Sequence, residues 1–139
     1  MFSGMSINSI DSKGRVVLPA KFREELGESF YVARGFKGGC VQVMSAQTFG
    51  EISEAIMSLP ADKAMALQYV FTATAVEVTP NAQGRVSIPQ ALREYADLGS
   101  EALVIGMNNR VEIWSKPRFD SFLAANQGII DEALGLLRL

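Results

Sequence analysis

Asp11-Ser12-Lys13-Gly14-Arg15-Val16-Val17-Leu18-Pro19-Ala20-Lys21-Phe22-Arg23-Glu24 returns 70 residues later as Asn81-Ala82-Gln83-Gly84-Arg85-Val86-Ser87-Ile88-Pro89-Gln90-Ala91-Leu92-Arg93-Glu94. Gly, Arg, Val, Pro, Arg and Glu fall in the same places. At the same offset, Val41-Gln42-Val43-Met44-Ser45 and Phe49 meet Val111-Glu112-Ile113-Trp114-Ser115 and Phe119. Two stretches in one register, separated by a loop whose alignment slips by about two residues, mark an internal duplication. The expected organisation is a first unit over residues 5–49, a helical connector over 50–73, a second unit over 74–119 and a helical tail over 120–139. The two units are expected to share one core.

Each copy carries the same local signals. Met5, Ile7 and Ile10, or Val76 and Val78, suggest a half-buried strand by their alternation. Asp11 to Gly14 has the Asp-first, Gly-fourth preference of a type I turn, and Asn81 to Gly84 repeats it with an equivalent side-chain acceptor. A short strand follows. Pro19 and Pro89 then supply a fixed φ at the expected first position of a one- or two-turn helix bearing Phe22, Arg23 and Leu26, or Leu92, Arg93 and Tyr95. Two further apolar runs per copy are split by Arg34-Gly35-Phe36-Lys37-Gly38-Gly39 and by Gly106-Met107-Asn108-Asn109, which read as hairpin loops.

Phe49, Ile52, Ile56 and Leu59 have helical spacing, as do Phe119, Phe122 and Leu123, so each copy closes with an amphipathic helix. A further helix is expected from Ala61 to about Phe71. The tail places Ile130, Leu134 and Leu137 on one face, able to dock on the core or on another subunit. The fold class is α+β, with small sheets and peripheral helices.

The inventory of residues excludes much chemistry. A chain of 139 residues that is 48% hydrophobic and 20% charged has the profile of a globular protein. At that size it buries roughly 68% of its unfolded surface, without need of a disulfide or structural metal. With no His and a single Cys, His-dependent triads, His-ligated zinc sites and Cys–His nucleophile pairs are all impossible. No carboxylate pair has a spacing that argues for acid–base catalysis. No cofactor, metal site or enzymatic activity is therefore expected. Uncharged runs such as Gly38 to Gly50 and Ala64 to Val76 are shorter than the ~18 apolar residues of a membrane span. The Met1-Phe2-Ser3-Gly4 start lacks the basic and apolar regions of a secretory signal. The expected setting is the cytoplasm.

The net charge of −2 argues against indiscriminate binding to nucleic acid, so any such site must be local. Residues 1–50 carry +2, residues 51–80 carry −3 and residues 81–139 carry −1. Lys13, Arg15, Lys21 and Arg23 cluster on the repeated turn, strand and helix of the first copy. The second copy keeps Arg85 and Arg93 there. A planar guanidinium donates two parallel hydrogen bonds to phosphate oxygens or to guanine O6 and N7, whereas Lys contributes a point charge. An Asp-x-x-Gly-Arg turn is also ordinary hairpin punctuation, and a charge cluster is often only a solvated face. Recurrence of Arg after the same turn, followed by the same Pro and a second Arg, weighs towards a site. Asp11 can hold Arg15 across its turn, while Asn81 can accept from Arg85 without the charge.

Other features carry less. Gly35, Gly38 and Gly39 lack the Gly-Lys-Ser/Thr ending of a phosphate-binding loop. Trp114, Phe119 and Phe122 could stack bases, but their spacing fits a core better. Cys40, beside Val41, reads as an inert or partly exposed thiol.

Taken together, Met1-Phe2-Ser3-Gly4, Asp11-Ser12-Lys13-Gly14-Arg15, Pro19-Ala20-Lys21-Phe22-Arg23-Glu24, Gly84-Arg85 with Pro89 and Leu92-Arg93, and Val111-Glu112-Ile113-Trp114 resemble the bacterial MraZ family over nearly the whole chain. The resemblance implies two SpoVT/AbrB-like domains, each a swapped-hairpin β-barrel half that pairs with the other. It also implies chains assembled in a ring-shaped homo-oligomer. It further implies a nucleoid-associated transcriptional regulator that binds repeated motifs in the double-stranded promoter DNA of a division and cell-wall gene cluster. The family's paired Asp-x-x-x-Arg motif carries over as Asp11 with Arg15; the second copy departs from it, with Asn81 before Arg85.

The expected DNA-binding residues are Lys13, Arg15, Lys21, Arg23, Arg85 and Arg93, with Asp11 and Asn81 orienting the arginines. Arg15 and Arg85 are expected to approach bases and the others phosphate. Two alternatives remain from the residues alone. One is an oligomeric protein-interaction scaffold whose basic patch meets an acidic partner; the other, an enzyme acting on a phosphate compound, has no catalytic constellation behind it.

Overall fold

In the computed structural model, which describes residues 1–138, the duplicated sequence becomes a duplicated set of elements. The first copy forms β1 (Met5–Ser9), β2 (Arg15–Val17), α1 (Ala20–Leu26), β3 (Phe30–Arg34), β4 (Val41–Ser45) and α2 (Ala46–Met57). Helix α3 (Ala61–Val70) and a 3-10 turn (Thr72–Thr74) lead to the second copy. That copy comprises β5 (Val76–Val78), β6 (Arg85–Ser87), α4 (Gln90–Tyr95), β7 (Glu101–Gly106), β8 (Val111–Trp114) and α5 (Lys116–Ala125), and α6 (Gln127–Leu136) is the last described element.

The copies exchange strands. A six-stranded antiparallel sheet runs β1-β7-β8-β4-β3-β5. The first strand of each copy thus pairs with the third strand of the other: β1 lies on β7, with Met5 opposite Ile105, and β5 lies on β3, with Val78 opposite Phe30. The equivalent strands β4 and β8 meet at the centre, Gln42 opposite Glu112. The equivalent strands β2 and β6 form a separate two-stranded antiparallel ribbon in which Val16 faces Val86. Neither copy's first strand has its partner within its own copy, so pairing and core formation need both.

Burial follows from this pairing. Val16, Leu18, Val86 and Ile88 from the ribbon segments and Phe22 and Leu92 from the short helices close one core. They pack against Phe30, Val32, Val41, Val43, Val104, Val111 and Ile113 of the large sheet. Its opposite face is covered in two patches: Ala33 and Met44 with Phe71 and Ile56 of the α2–α3 region, and Cys40, Leu103, Ile105 and Trp114 with Phe119 and Phe122 of α5. Trp114 is buried, with its Nε1–H donating to Glu112 at 2.9 Å, so these aromatics are core rather than an exposed platform. Cys40 is buried as well, and burial pushes its thiol up to about 12. That leaves an inert thiol.

Two local expectations shift. Pro19 and Pro89 sit at the helix caps, with ψ of 139° and 143°, one residue ahead of the first helical position. Their carbonyls accept from Phe22 and Arg23, and from Leu92 and Arg93, which is the role of a half-in cap residue, and the missing proline N–H costs nothing there. The longer helices α2 and α5 are capped by equivalent serines, Ser45 Oγ accepting from Thr48 N–H at 3.1 Å and Ser115 Oγ from Arg118 N–H at 3.5 Å.

The second shift concerns β1, whose Met5 and Ile7 are 62% and 55% exposed while Ser6 and Asn8 are half-buried. Strand β1 is a sheet edge, and its apolar residues share the face of Leu103 and Ile105 but are only flanked by the start of α5, Ile7 lining a shallow cavity with Lys116 and Pro117. The tail helix α6 does not dock on the sheet: its main contact is with α5, and Ile129, Leu134 and Leu137 at its end are exposed.

Candidate nucleic-acid interface

The repeated turn is built from the side chain upward. Asp11 Oδ1 accepts from the backbone N–H of Lys13 and of Arg15, each at 2.9 Å, and Gly14 N–H donates to the Asp11 carbonyl at 3.0 Å. Asn81 repeats all three bonds: its Oδ1 accepts from Gln83 N–H at 3.0 Å and Arg85 N–H at 2.9 Å, and Gly84 N–H donates to its carbonyl at 2.9 Å. One acceptor oxygen therefore suffices to fold the turn, and Asp and Asn supply it equally.

The second oxygen separates the copies. Arg15 Nε–H donates to Asp11 Oδ2 at 2.8 Å, forming an ion pair between two side chains that are each about a third exposed. Asn81 carries an amide NH2 in that place, a donor that cannot receive a guanidinium. Among the described residues, the Arg85 guanidinium makes no hydrogen bond. Asn81 thus accepts from the backbone of Arg85 and not from its side chain. The Asp11 carboxyl is held at about 2: the Arg15 backbone N–H lowers it most, partial burial opposes this, and the Arg15 side chain and Lys13 N–H add to the lowering.

The ribbon then sets where these arginines point. Val16 and Val86 face the core, so their neighbours Arg15 and Arg85 project from the opposite, outward face, Arg15 beside Ser87 and Arg85 beside Val17. Such diagonal neighbours stand roughly 7–8 Å apart. Arg15 and Arg85 line one shallow cavity of about 450 Å³ together with Glu77, Thr79, Asn81 and Ser87. Glu77, Thr79 and Ser87 were absent from the sequence expectation; alternation in β6 puts Ser87 on the face of Arg85, whereas Glu77 lies opposite Tyr31 and reaches the cavity, with Thr79, only because β5 is the edge of the large sheet.

Arg23 and Arg93 cross between copies. Their Nε–H groups donate to the carbonyls of Leu18 at 3.2 Å and Ile88 at 2.9 Å, folding each side chain back over its proline. Each guanidinium then lies against the other copy's turn. A Cβ added at Gly84 would stand 2.8 Å from Arg23 Cζ, and one at Gly14 would stand 2.5 Å from Arg93 Cζ. Both glycines have positive φ, 77° and 76°, so they supply the turn conformation and the space for the opposing arginine. Lys13 is exposed on the first turn. Lys21 is exposed on α1, its Nζ 5.4 Å above the Phe22 ring and directed towards Gly4 rather than the ribbon.

The remaining arginines of the folded units serve the framework. Arg110 pairs with Glu112 at 3.0 Å, Arg118 donates to the carbonyls of Gly39 and Tyr95, and Arg34 stacks 4.1 Å from the Tyr95 ring centre. Of the arginines in the folded units, those not taken up by the framework are therefore the four of the repeat. Among the described residues there is no cluster of His, Cys, Asp and Glu fit to hold a metal. No described helix is long and apolar enough to cross a membrane.

Comparison with known proteins agrees with this duplicated architecture. The family model described as "MraZ protein, putative antitoxin-like" matches twice, over residues 1–69 and 71–133, one match for each copy. A protein from Arthrobacter sp. (strain FB24) bearing the name "Transcriptional regulator MraZ" is 41% identical over 134 residues, 95% of this chain and 94% of its own. Proteins of the same name from Bifidobacterium longum (strain NCC 2705) and Desulforamulus reducens are 42% identical over 120 residues and 40% over 134. These cover 85% and 95% of this chain, and 79% and 94% of their own lengths. With both halves matched and identity at this level over nearly its whole length, the chain belongs to the MraZ family.

Proposed function

We propose that this protein is a transcriptional regulator that binds double-stranded promoter DNA in a sequence-specific manner. The observation that carries the reading is the pair Arg15 and Arg85 on the outward face of one two-stranded ribbon. A two-stranded ribbon fits the major groove, and a guanidinium there binds guanine O6 and N7 bidentately. Their diagonal separation of roughly 7–8 Å matches about two base-pair steps of ~3.4 Å. Lys13, Arg23 and Arg93 supply phosphate contacts beside the ribbon, the last two through the guanidinium nitrogens that their carbonyl bonds leave free, and Lys21, set towards Gly4, contacts phosphate farther from it. The naming of the relatives as transcriptional regulators supports the same reading.

The units over 5–49 and 74–119 act as two SpoVT/AbrB-like, swapped-hairpin halves, a reading supported by the exchange of β1 and β5 between copies. The protein works as a ring-shaped homo-oligomer in the cytoplasm, on the nucleoid, at repeated motifs before a division and cell-wall gene cluster. Support for self-assembly comes from the apolar residues left open at the β1 edge, Met5 and Ile7, and along α6, Ile129 and Leu134. An array of modest sites binds a row of repeats through raised effective concentration, which reconciles DNA binding with a net charge of −2.

The test is fluorescence anisotropy on duplexes carrying one, two or four of the promoter repeats against a scrambled duplex, at several salt concentrations, for the native chain and Arg15→Ala. The expected result is preference for the repeats that steepens with their number, with Arg15→Ala costing about 1–3 kcal/mol per engaged site. Equal, weak and steeply salt-dependent binding to all duplexes would overturn sequence-specific reading and leave a basic patch on an interaction scaffold.

A further inference from the structure

In how the turn holds its arginine, the two reading arms differ by a single functional group, the carboxylate of Asp11 against the amide of Asn81. Around Arg15 the carboxylate of Asp11 does two jobs: one oxygen folds the turn and the other fixes Nε at 2.8 Å. With Nε committed, the end-on pair of N–H groups, one from each terminal nitrogen of Arg15, is left unbonded as a fork whose orientation the clamp fixes. That is the form that meets guanine O6 and N7 with least loss of side-chain freedom. Around Arg85 the turn is folded by the same backbone bonds, but the place of the second oxygen is taken by an amide NH2. Arg85 is exposed, and among the described residues its guanidinium has no hydrogen-bond partner to fix it.

We propose that this chain reads an asymmetric DNA motif: Arg15 demands a guanine at its position, whereas Arg85 accepts several bases or turns to phosphate, and Asn81 is the positioning residue that makes the difference. The inference rests on the DNA-reading role proposed above. An unclamped guanidinium retains five donors and many rotamers, so it finds an acceptor on guanine, on adenine N7, on thymine O4 or on the backbone. Its position then contributes attraction with little selection. Asn81 leaves the turn itself intact, so the second copy differs from the first in how its arginine is held and not in how its backbone runs.

The experiment is selection from a randomised duplex library by the native full-length chain and by Asn81→Asp, Asp11→Asn, Arg15→Lys and Asn81→Asp combined with Arg85→Lys. Thermal melting of each variant serves as a folding control. Arg15→Lys assigns the strict guanine to Arg15, and adding Arg85→Lys to Asn81→Asp, which should erase the guanine that Asn81→Asp gains, locates the Arg85 position. The expected native motif has a guanine at the Arg15 position whose replacement weakens binding at least about fivefold, and an Arg85 position where any base is tolerated within about twofold. Asn81→Asp, which supplies the missing oxygen without altering the turn, is expected to sharpen the Arg85 position to guanine. Asp11→Asn is expected to blur the Arg15 position.

An enriched motif with two equally strict positions, or an Asn81→Asp profile identical to the native one, would overturn the asymmetry while leaving DNA reading in place. Failure of the folded native chain to enrich any sequence would overturn the reading function and this inference with it.

Discussion

Replacing Gly14 by Ala perturbs the junction where the first copy's turn meets the second copy's arginine. The added Cβ would stand 2.5 Å from both Nε and Cζ of Arg93, and the residue would have to hold φ at 77°. Positive φ costs an L-residue about 1–2 kcal/mol. Displacing Arg93 forfeits its bond to the Ile88 carbonyl, worth about 0.5–1.5 kcal/mol. The loss of glycine's freedom in the unfolded chain returns about 0.4–1 kcal/mol. The net destabilisation is about 2 kcal/mol, or roughly 8 °C in Tm for a chain of this length.

Urea unfolding at fixed protein concentration measures it, with two controls. Gly50→Ala, inside α2 and with nothing within 4 Å of its Cβ, should stabilise by about 0.5–1 kcal/mol. In an Arg93→Ala background the cost of Gly14→Ala should fall by about 1 kcal/mol, because only the backbone strain remains. A Gly14→Ala protein as stable as the native one, or an undiminished cost without Arg93, would refute the crossing of Arg93 onto the Gly14 turn.

Further consequences concern the Asp11 clamp and the sheet centre. The Asp11 carboxyl is depressed to about 2 from an ordinary value near 3.8, so its contribution is fully present above about pH 4.5 and is lost as pH falls through about 2. The stability gap between the native chain and Asp11→Asn, followed by urea unfolding, should be flat in the upper range and close towards the lower, and a gap unchanged down to about pH 2 would contradict the clamp. Gln42 Oε1 is the one buried side-chain polar atom among the described residues without a hydrogen-bond partner. Gln42→Met keeps the length and removes that acceptor, so unfolding should become harder by about 1 kcal/mol; a loss of stability would show that the amide has a partner in solution.

Much of the fold was legible because its information is local and stated twice. The turn signals at Asp11–Gly14 and Asn81–Gly84, the hairpin loops, the capping prolines and the helices near Phe49 and Phe119 depend on neighbours within a few residues, and repetition separated signal from accident. The side of β1 that is buried was misread because Met5 and Ile7 alternate properly; the alternation names a face, but whether that face is covered depends on how far α5 reaches. Glu77, Thr79 and Ser87 stayed hidden as groove residues because they reach the cavity through pairings of β5 with β3 and β6 with β2.

The sequence by itself determined the duplication, the α+β class, the repeated Asp/Asn-to-Arg turn and the absence of His-based chemistry, since each is a matter of residue type and spacing. Only the tertiary structure decided that β1 and β5 change places between copies, that Arg15 and Arg85 emerge on one face, and that Arg23 and Arg93 each brace the other copy's turn. It also decided that Asn81 holds a backbone and leaves a guanidinium free. These depend on register and on contacts between residues about 70 positions apart, where a strand slipped by one residue would turn every side chain to the opposite face.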